Sequence, residues 1–590
     1  MIAAVVCAAI PWTVATAQQK GAAPARVDMA ALLNAAKDGN QWVTYGRDYA
    51  ETHYSPLKLI NDANVKRLGL AWSLETGSPA GAAVESTPLF HNGTLYGSLA
   101  WNVMFAADAR TGKMKWRWDP EIKRERIQGL CCGAVNRGVA LYNGKVYQGM
   151  LDGRVVALDA NTGKLVWSVQ DTAPESDVTL TSAVRVVKGK LIVGSAGAEH
   201  GVRGYFTAYD AETGKRLWRF YTVPGDPSKP VEHPDLKAAA RTWTGQWWKQ
   251  GGGGTVWDAM AYDPEADLLY VGTGNGGPWN RNYRSPQGGD NLYIASILAV
   301  KPDTGKLAWY FQTTPGDQWD YASTQPLVLA DLTINGRARK VIMQAPKNGF
   351  FYVLDRLTGE FVTGNKLLQR VTWATGLDAK GRPVEAKGAR YKDQAVLISP
   401  GQDGAHNWQP MSFSPITKLV YVTAKESATA YTPDLGFRFA AGYWNTGTTT
   451  AGPRRPPNTQ VKWPEPPETM PQPEGGAAQP VLGFSFLAAW DPVANREVWR
   501  AMGPGIGGTN GGGTLATAGN LVFHGNHAFD AKTGKVLWTV EGLSGVADPI
   551  TYMLDGKQYV AMLARPGPSN RLFVFALDAK RPLPPASEAR

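Results

Sequence analysis

Cys131 and Cys132 are sequence neighbours, and apart from Cys7 near the N-terminus they are the only thiols in the chain. Any disulfide that omits Cys7 must therefore join adjacent residues and close a small ring across their own peptide. The surrounding run GLCCGAVNRG supplies glycines on both sides, where unusual backbone angles are tolerated. The pair can be a stiff oxidised plate or two reduced side chains buried as small apolar groups, and the dipeptide alone leaves both readings open. The seven histidines are scattered without a zinc-ligand spacing. No C-x-x-C-H motif occurs, so this sequence offers no c-type haem attachment.

The elements that must position these groups are short and repeated. Segments AADARTGKMKW (106–116), ALDANTGKLVW (157–167), AYDAETGKRLW (208–218), AVKPDTGKLAW (299–309), AWDPVANREVW (489–499) and AFDAKTGKVLW (528–538) all end in tryptophan at one spacing. Each reads as strand, turn and strand, with alternating apolar residues leading into the Trp. Between Val139 and Trp167, turns at Asn143-Gly144 and Asp152-Gly153 complete a unit of four short antiparallel strands, about fifty residues long. A four-stranded sheet has two faces to bury, and radial stacking buries both while leaving only short edges. A copy ending at Trp72 and a degenerate one at 353–361 bring the candidate repeats to eight. The expected fold is all-β, an eight-bladed β-propeller with tryptophan-docking repeats. Residues 431–483 break the pattern with a Pro-rich insertion, expected to be irregular and read either as a surface loop or as a lid.

Composition sets outer limits. The 590 residues are rich in glycine (66) and tryptophan (22), which suits many tight turns over long helices. The net charge of +11 is modest for this size and spread along the chain. A solvated surface is expected rather than a nucleic-acid groove, with room for a basic face toward an acidic protein. Residues 1–17 read as a signal peptide cleaved after Ala17, although the basic n-region is missing, and they imply export to an oxidising compartment. A vicinal cysteine pair there would be found as a disulfide. The mature chain, 18–590, is expected to form one domain without a transmembrane helix.

The tryptophan repeats, the cysteine pair and the segments GSAGAEHGVRGY, GGGTVW, GTGNGGPWN and TPGDQWDYAS together resemble the pyrroloquinoline quinone (PQQ) dependent alcohol dehydrogenases, roughly from Asn40 to Asp578. PQQ is a flat tricyclic orthoquinone with three carboxylates, so its site needs flat walls and several cations or amide donors. The resemblance gives Trp257 as one wall and a Cys131–Cys132 disulfide as the other. It places Arg137 on a cofactor carboxylate, gives Glu85, Thr181, Ala198 and Thr255 lesser polar or backbone contacts, and makes Asn407 another cofactor contact. Lys347 reaches the quinone oxygens in this scheme. Glu199, Asn275 and Asp320 bind a divalent ion, and these hard oxygen donors suit Ca2+. Asp320 is also the implied catalytic base, taking the alcohol proton while hydride passes to the quinone. Ala322 stands where lanthanide-dependent relatives carry a second aspartate.

The resemblance implies a periplasmic dehydrogenase of primary alcohols that passes electrons to a soluble cytochrome c, and it allows a homodimer. Two departures stand out. NGGGTL (510–515) lacks a tryptophan that methanol dehydrogenases have, so Asn510 and Gly511 leave that edge open for bulkier diols, polyols or polyethers. LVFHGNHAFDAKTG (521–534) is short, which puts the pairing of its blade in question. A third reading is a non-catalytic propeller scaffolding envelope proteins, which shares the tryptophan repeat but leaves Glu199, Asn275, Asp320 and the cysteines unexplained.

Overall fold

One repeat unit shows how the chain folds. Ala140–Tyr142, Lys145–Gly149, Arg154–Asp159 and Leu165–Gln170 pair consecutively as an antiparallel sheet. Asn143 and Gly144 both take positive φ, as a two-residue hairpin turn requires. The next reversal is held by Asp159, whose Oδ1 accepts from the Thr162 amide and hydroxyl, each at 2.8 Å. The first strand is largely buried and the fourth faces solvent along most of its length, so the unit runs from the inside outward.

The computed structural model describes residues 26–77, 83–451, 483–508, 512–565 and 570–585. Within them, seven sheets have four strands and one has five, its extra strand being Tyr54–Ser55. The sheets are stitched by tryptophans. The indole N–H of Trp116 donates to Ala160 O at 2.9 Å, that of Trp167 to Ala211 O at 3.3 Å and that of Trp218 to Pro302 O at 3.0 Å. Trp72, Trp309 and Trp499 do the same toward Ala109, Arg356 and Ala531. Each indole thus covers apolar area and also satisfies a turn carbonyl of the neighbouring sheet. The ring closes where Leu68–Glu75 pairs with Arg571–Leu577 and Trp538 Nε1 donates to Leu68 O at 2.9 Å. The result is an all-β propeller. The short 521–534 segment does not disturb its blade, since Leu521–His524, His527–Asp530 and Val536–Thr539 pair in sequence.

The axis is filled by the chain itself. Between Trp42 and Ser55 the backbone bonds in turn to Phe90, Tyr262, Leu329, Phe413 and Ala516, which lie on or beside inner strands of five different sheets. Nothing in the repeat pattern foretells this plug.

The segment expected to be irregular from residue 431 is so over 434–447 but has paired strands on either side. Thr429–Pro433 pairs with Val396–Ile398 on one side and Thr448–Ala451 on the other. The β-branched threonines that favour these strands sit between prolines and glycines, which hide them in a composition-based reading. Residues 452–482, the expected leader at 1–17, and Asn510 with Gly511 lie outside the described residues. Among the described residues, no helix is long and apolar enough to cross a membrane.

Candidate active site

The run Gly251–Gly254 takes positive φ at all four positions. Gly252–Gly253 pairs with Gly276–Gly277, and a Cβ on Gly253 would fall 2.5 Å from Asn275 O. Only glycine permits this approach, and it brings Thr255 and Trp257 alongside Asn275. All three line one cavity of about 420 Å³.

Arg137 enters the same cavity from another blade. Its Nη2 lies 2.7 Å from Glu85 Oε2, and its Nη1 donates to Thr181 Oγ1 at 3.2 Å and to Trp257 O at 3.1 Å. The guanidinium carbon stands 4.8 Å from the centre of the Trp257 ring. A fixed cation, a hydroxyl and a flat aromatic face are therefore gathered on one wall. Cys131 and Cys132 are bonded to each other and line the cavity as well, resolving the two readings of the pair in favour of the oxidised one.

Asp320, Lys347 and Glu199 supply the charges. Lys347 Nζ donates to Asp320 Oδ2 at 2.8 Å. Burial pushes the Asp320 carboxyl well above the usual carboxylate range; Lys347 opposes this and the Glu199 charge adds to it. Glu199 Oε1 accepts from the Asn275 amide at 2.9 Å and from the Trp279 indole at 3.0 Å. Asn407 completes the lining, its amide donating to Asp403 O at 2.9 Å. Gly197 and Glu199, the neighbours of Ala198, reach the cavity, and the Ala198 side chain is not on its wall, which leaves its backbone for the expected contact. The single turn Ala198–His200 turns that side chain aside, and Ala198 O crowds the place a Cβ on Gly277 would take.

Several lining residues were not singled out from the sequence. Trp279 lies inside the quoted GTGNGGPWN segment, where its Glu199 contact has no local signal. Trp444 lies in the segment that follows Thr429–Pro433. The Asn445 amide donates to Glu199 O at 2.7 Å, and the Trp444 ring meets those of His200 and Trp279 edge-on. This part of the insertion therefore covers the Glu199 end of the cavity.

The side chains present fit PQQ and a hard divalent ion. An aromatic face and a disulfide serve as flat walls, while Arg137, Lys347, Thr181 and Thr255 offer cations and hydroxyls to carboxylates and carbonyls. Among the described residues, no group of three or more His, Cys, Asp and Glu side chains is gathered to hold a metal alone. Two carboxylates and an amide oxygen need further oxygens from the bound cofactor or solvent to complete a calcium sphere.

Comparison with known proteins agrees with this inventory. Residues 42–366 and 382–560 match the family described as PQQ: glucose/ethanol/alcohol dehydrogenase, beta-propeller domain. The chain is 50% identical to quinohemoprotein alcohol dehydrogenase ADH IIB of Pseudomonas putida, over 96% of this chain and 81% of that protein. It is 42% identical to the 1-butanol dehydrogenase (cytochrome c) of Thauera butanivorans, over 92% and 77% respectively. The solved quinohemoprotein alcohol dehydrogenase of Comamonas testosteroni superposes with a TM-score of 0.85 at 45% identity, covering 95% of this chain and 85% of that one. These enzymes set aside the scaffold reading, and the chain belongs to the PQQ-dependent alcohol dehydrogenases.

Proposed function

We propose that this chain is an eight-bladed, calcium-dependent quinoprotein of the periplasm that oxidises primary alcohols to aldehydes and hands electrons to a soluble cytochrome c. The blade count is supported by the eight sheets of four or more strands, each ending its fourth strand at one copy of the sequence repeat. The acceptor and the alcohol class are supported by the relative whose name joins 1-butanol to cytochrome c. The observation that carries the reading is the meeting of Asp320, Glu199 and Lys347 with Trp257 and the cysteine bridge in one cavity.

When bound, PQQ supplies the electrophilic quinone carbon that takes hydride, and the divalent ion supplies Lewis acidity. Arg137, Thr181 and Thr255 hold cofactor carboxylates and carbonyls, with Asn407 at the rim. Glu199, Asn275 and Asp320 hold the ion. Asp320 accepts the hydroxyl proton of the alcohol at a carboxylate oxygen. Lys347, 2.8 Å from that carboxylate, opposes the effect of burial on it and presents its ammonium group toward the developing negative charge. Trp444 and the segment around it exclude water from the Glu199 end, which strengthens each of these charges.

Bulkier diols, polyols and polyethers are the second substrate class, favoured by the NGGGTL departure. Protein reconstituted with PQQ and calcium is assayed on a panel of alcohols with an artificial one-electron acceptor. Turnover of primary alcohols such as 1-butanol above that of polyols supports the first class, and the reverse order supports the second. No alcohol-dependent reduction of the acceptor would overturn both.

A further inference from the structure

Glu85 and Arg137 belong to the cavity wall and also to a buried charge cluster on the propeller axis. Arg137 Nε faces Asp258 Oδ2 at 3.5 Å. Asp548 accepts from Thr87 Oγ1 at 2.8 Å and from the Gly513 amide at 2.6 Å, within electrostatic reach of Asp258 and Glu85. Further along, Arg185 holds Glu51 with two hydrogen bonds, at 2.7 and 3.1 Å, and lies over the Tyr45 ring. None of these six residues is more than 8% exposed.

Asp48, which adds to the rise at Glu51, is offset by Arg47 at 3.8 Å, and the other ionisable groups nearby add no compensating charge. Burial and Arg185 push His53 down to about 3, so it is neutral. His524, whose Nδ1 lies 3.2 Å from Gly513 O, is pushed down by burial to about 4. Tyr45, among Asp258, Asp548, Arg185 and Glu51, keeps its proton. Full ionisation would therefore leave four negative charges against two positive ones in a space that solvates charge poorly, which is strongly unfavourable. The carboxyls respond by holding protons. Burial raises Asp258 to about 6 and Asp548 and Glu51 to about 7, and it raises Glu85 as well.

A tricarboxylate entering this cavity brings more negative charge and competes for the Arg137 guanidinium that Glu85 and Asp258 now share. We propose that cofactor loading is coupled to proton uptake by this cluster: as a PQQ carboxylate takes Arg137, Glu85, Asp258 and Asp548 together bind a proton from solvent. The only bond formed is O–H on a carboxylate, and the axis gains no net negative charge. The inference rests on the PQQ reading of the cavity. It makes Asp258 and Asp548 positioning residues for the cofactor, acting through Arg137 and Glu85.

The test is calorimetry. PQQ is titrated into the cofactor-free full chain already saturated with calcium, in buffers of differing ionisation enthalpy. The slope of apparent enthalpy against that ionisation enthalpy counts protons. About one proton is expected to be taken up per PQQ at pH 7, falling toward none at pH 5, where the cluster is already protonated. Near pH 7 Kd should tighten roughly tenfold per unit fall in pH, as linkage to one proton requires, and this dependence should flatten toward pH 5. The double variant Asp258→Asn/Asp548→Asn should lose at least half of the uptake, and if it fails to fold the wild-type pH series decides alone. Saturable binding without proton uptake, or uptake unchanged in the double variant, overturns the coupling. Absence of saturable binding overturns the PQQ reading itself.

Discussion

Lys347 Nζ stands 2.8 Å from Asp320 Oδ2, and neither side chain is more than 13% exposed. A buried pair of this kind is strongly coupled, since removing one partner leaves the other charge unsolvated, at a cost on the order of 3–5 kcal/mol. Lys347→Met is therefore expected to lower the Tm of the cofactor-free protein by several degrees, while Lys347→Arg keeps most of it. Thermal melts of the three proteins side by side check this. Equal Tm for wild type and the Met variant would mean that the pair is not formed in solution.

The vicinal bridge is expected to matter locally. A link between adjacent residues closes almost no loop, so the unfolded-state entropy that longer disulfides remove is barely touched. Cys131→Ser/Cys132→Ser should leave Tm within a degree or two and yet lower turnover or PQQ retention several-fold. Full turnover and unaltered PQQ affinity in the double variant would remove the cysteines from the cofactor wall.

Ala322 bears on the choice of metal. It is fully buried two residues beyond Asp320, its amide donating to Asp320 O at 3.2 Å, and its methyl group adds neither charge nor an oxygen ligand. Calcium is the expected working ion, and Ala322→Asp should shift preference toward lanthanum by adding a negative oxygen donor near the ion. Parallel reconstitution with the two metals reads this out. Higher lanthanum-supported turnover in the unmodified protein would contradict it.

Asp548 should leave a mark on stability against pH. Burial raises its folded-state value to about 7, above an unfolded value near 4. A raised carboxyl contributes its full stabilisation below the unfolded value and loses it as pH rises through the folded one. Wild-type Tm should therefore carry a downward component between about pH 4 and pH 7 that is weaker in Asp548→Asn, which has no proton to lose. Melts of both proteins across that range test it, and parallel curves would show that Asp548 is not the group responsible.

The propeller was legible because its signal is repeated. Trp116, Trp167 and Trp218 recur with the same Asp and Thr-Gly turn, and each indole meets the turn carbonyl of the next sheet. Most site residues were legible through motifs gathered into one cavity, from Glu85 to Asn407. The exceptions share a physical cause. Trp444, Asp258 and Asp548 acquire their partners from other blades, far away in sequence, so no spacing announces them. Asp258 follows Trp257 directly and could have been noticed as a carboxylate beside an expected cofactor wall. The 42–55 plug obeys none of the repeat rules, since its bonds go to a different sheet every few residues.

The most direct test of the central claim is Asp320→Asn, prepared in parallel with wild type and loaded with PQQ and calcium. The amide keeps the size of the side chain but removes the basic oxygen that takes the alcohol proton. PQQ absorbance should show the same stoichiometric binding in both proteins, while alcohol-dependent reduction of an artificial acceptor falls by about 10²-fold or more. Near-normal turnover in the fully loaded Asn variant would contradict the assignment of Asp320 as the base.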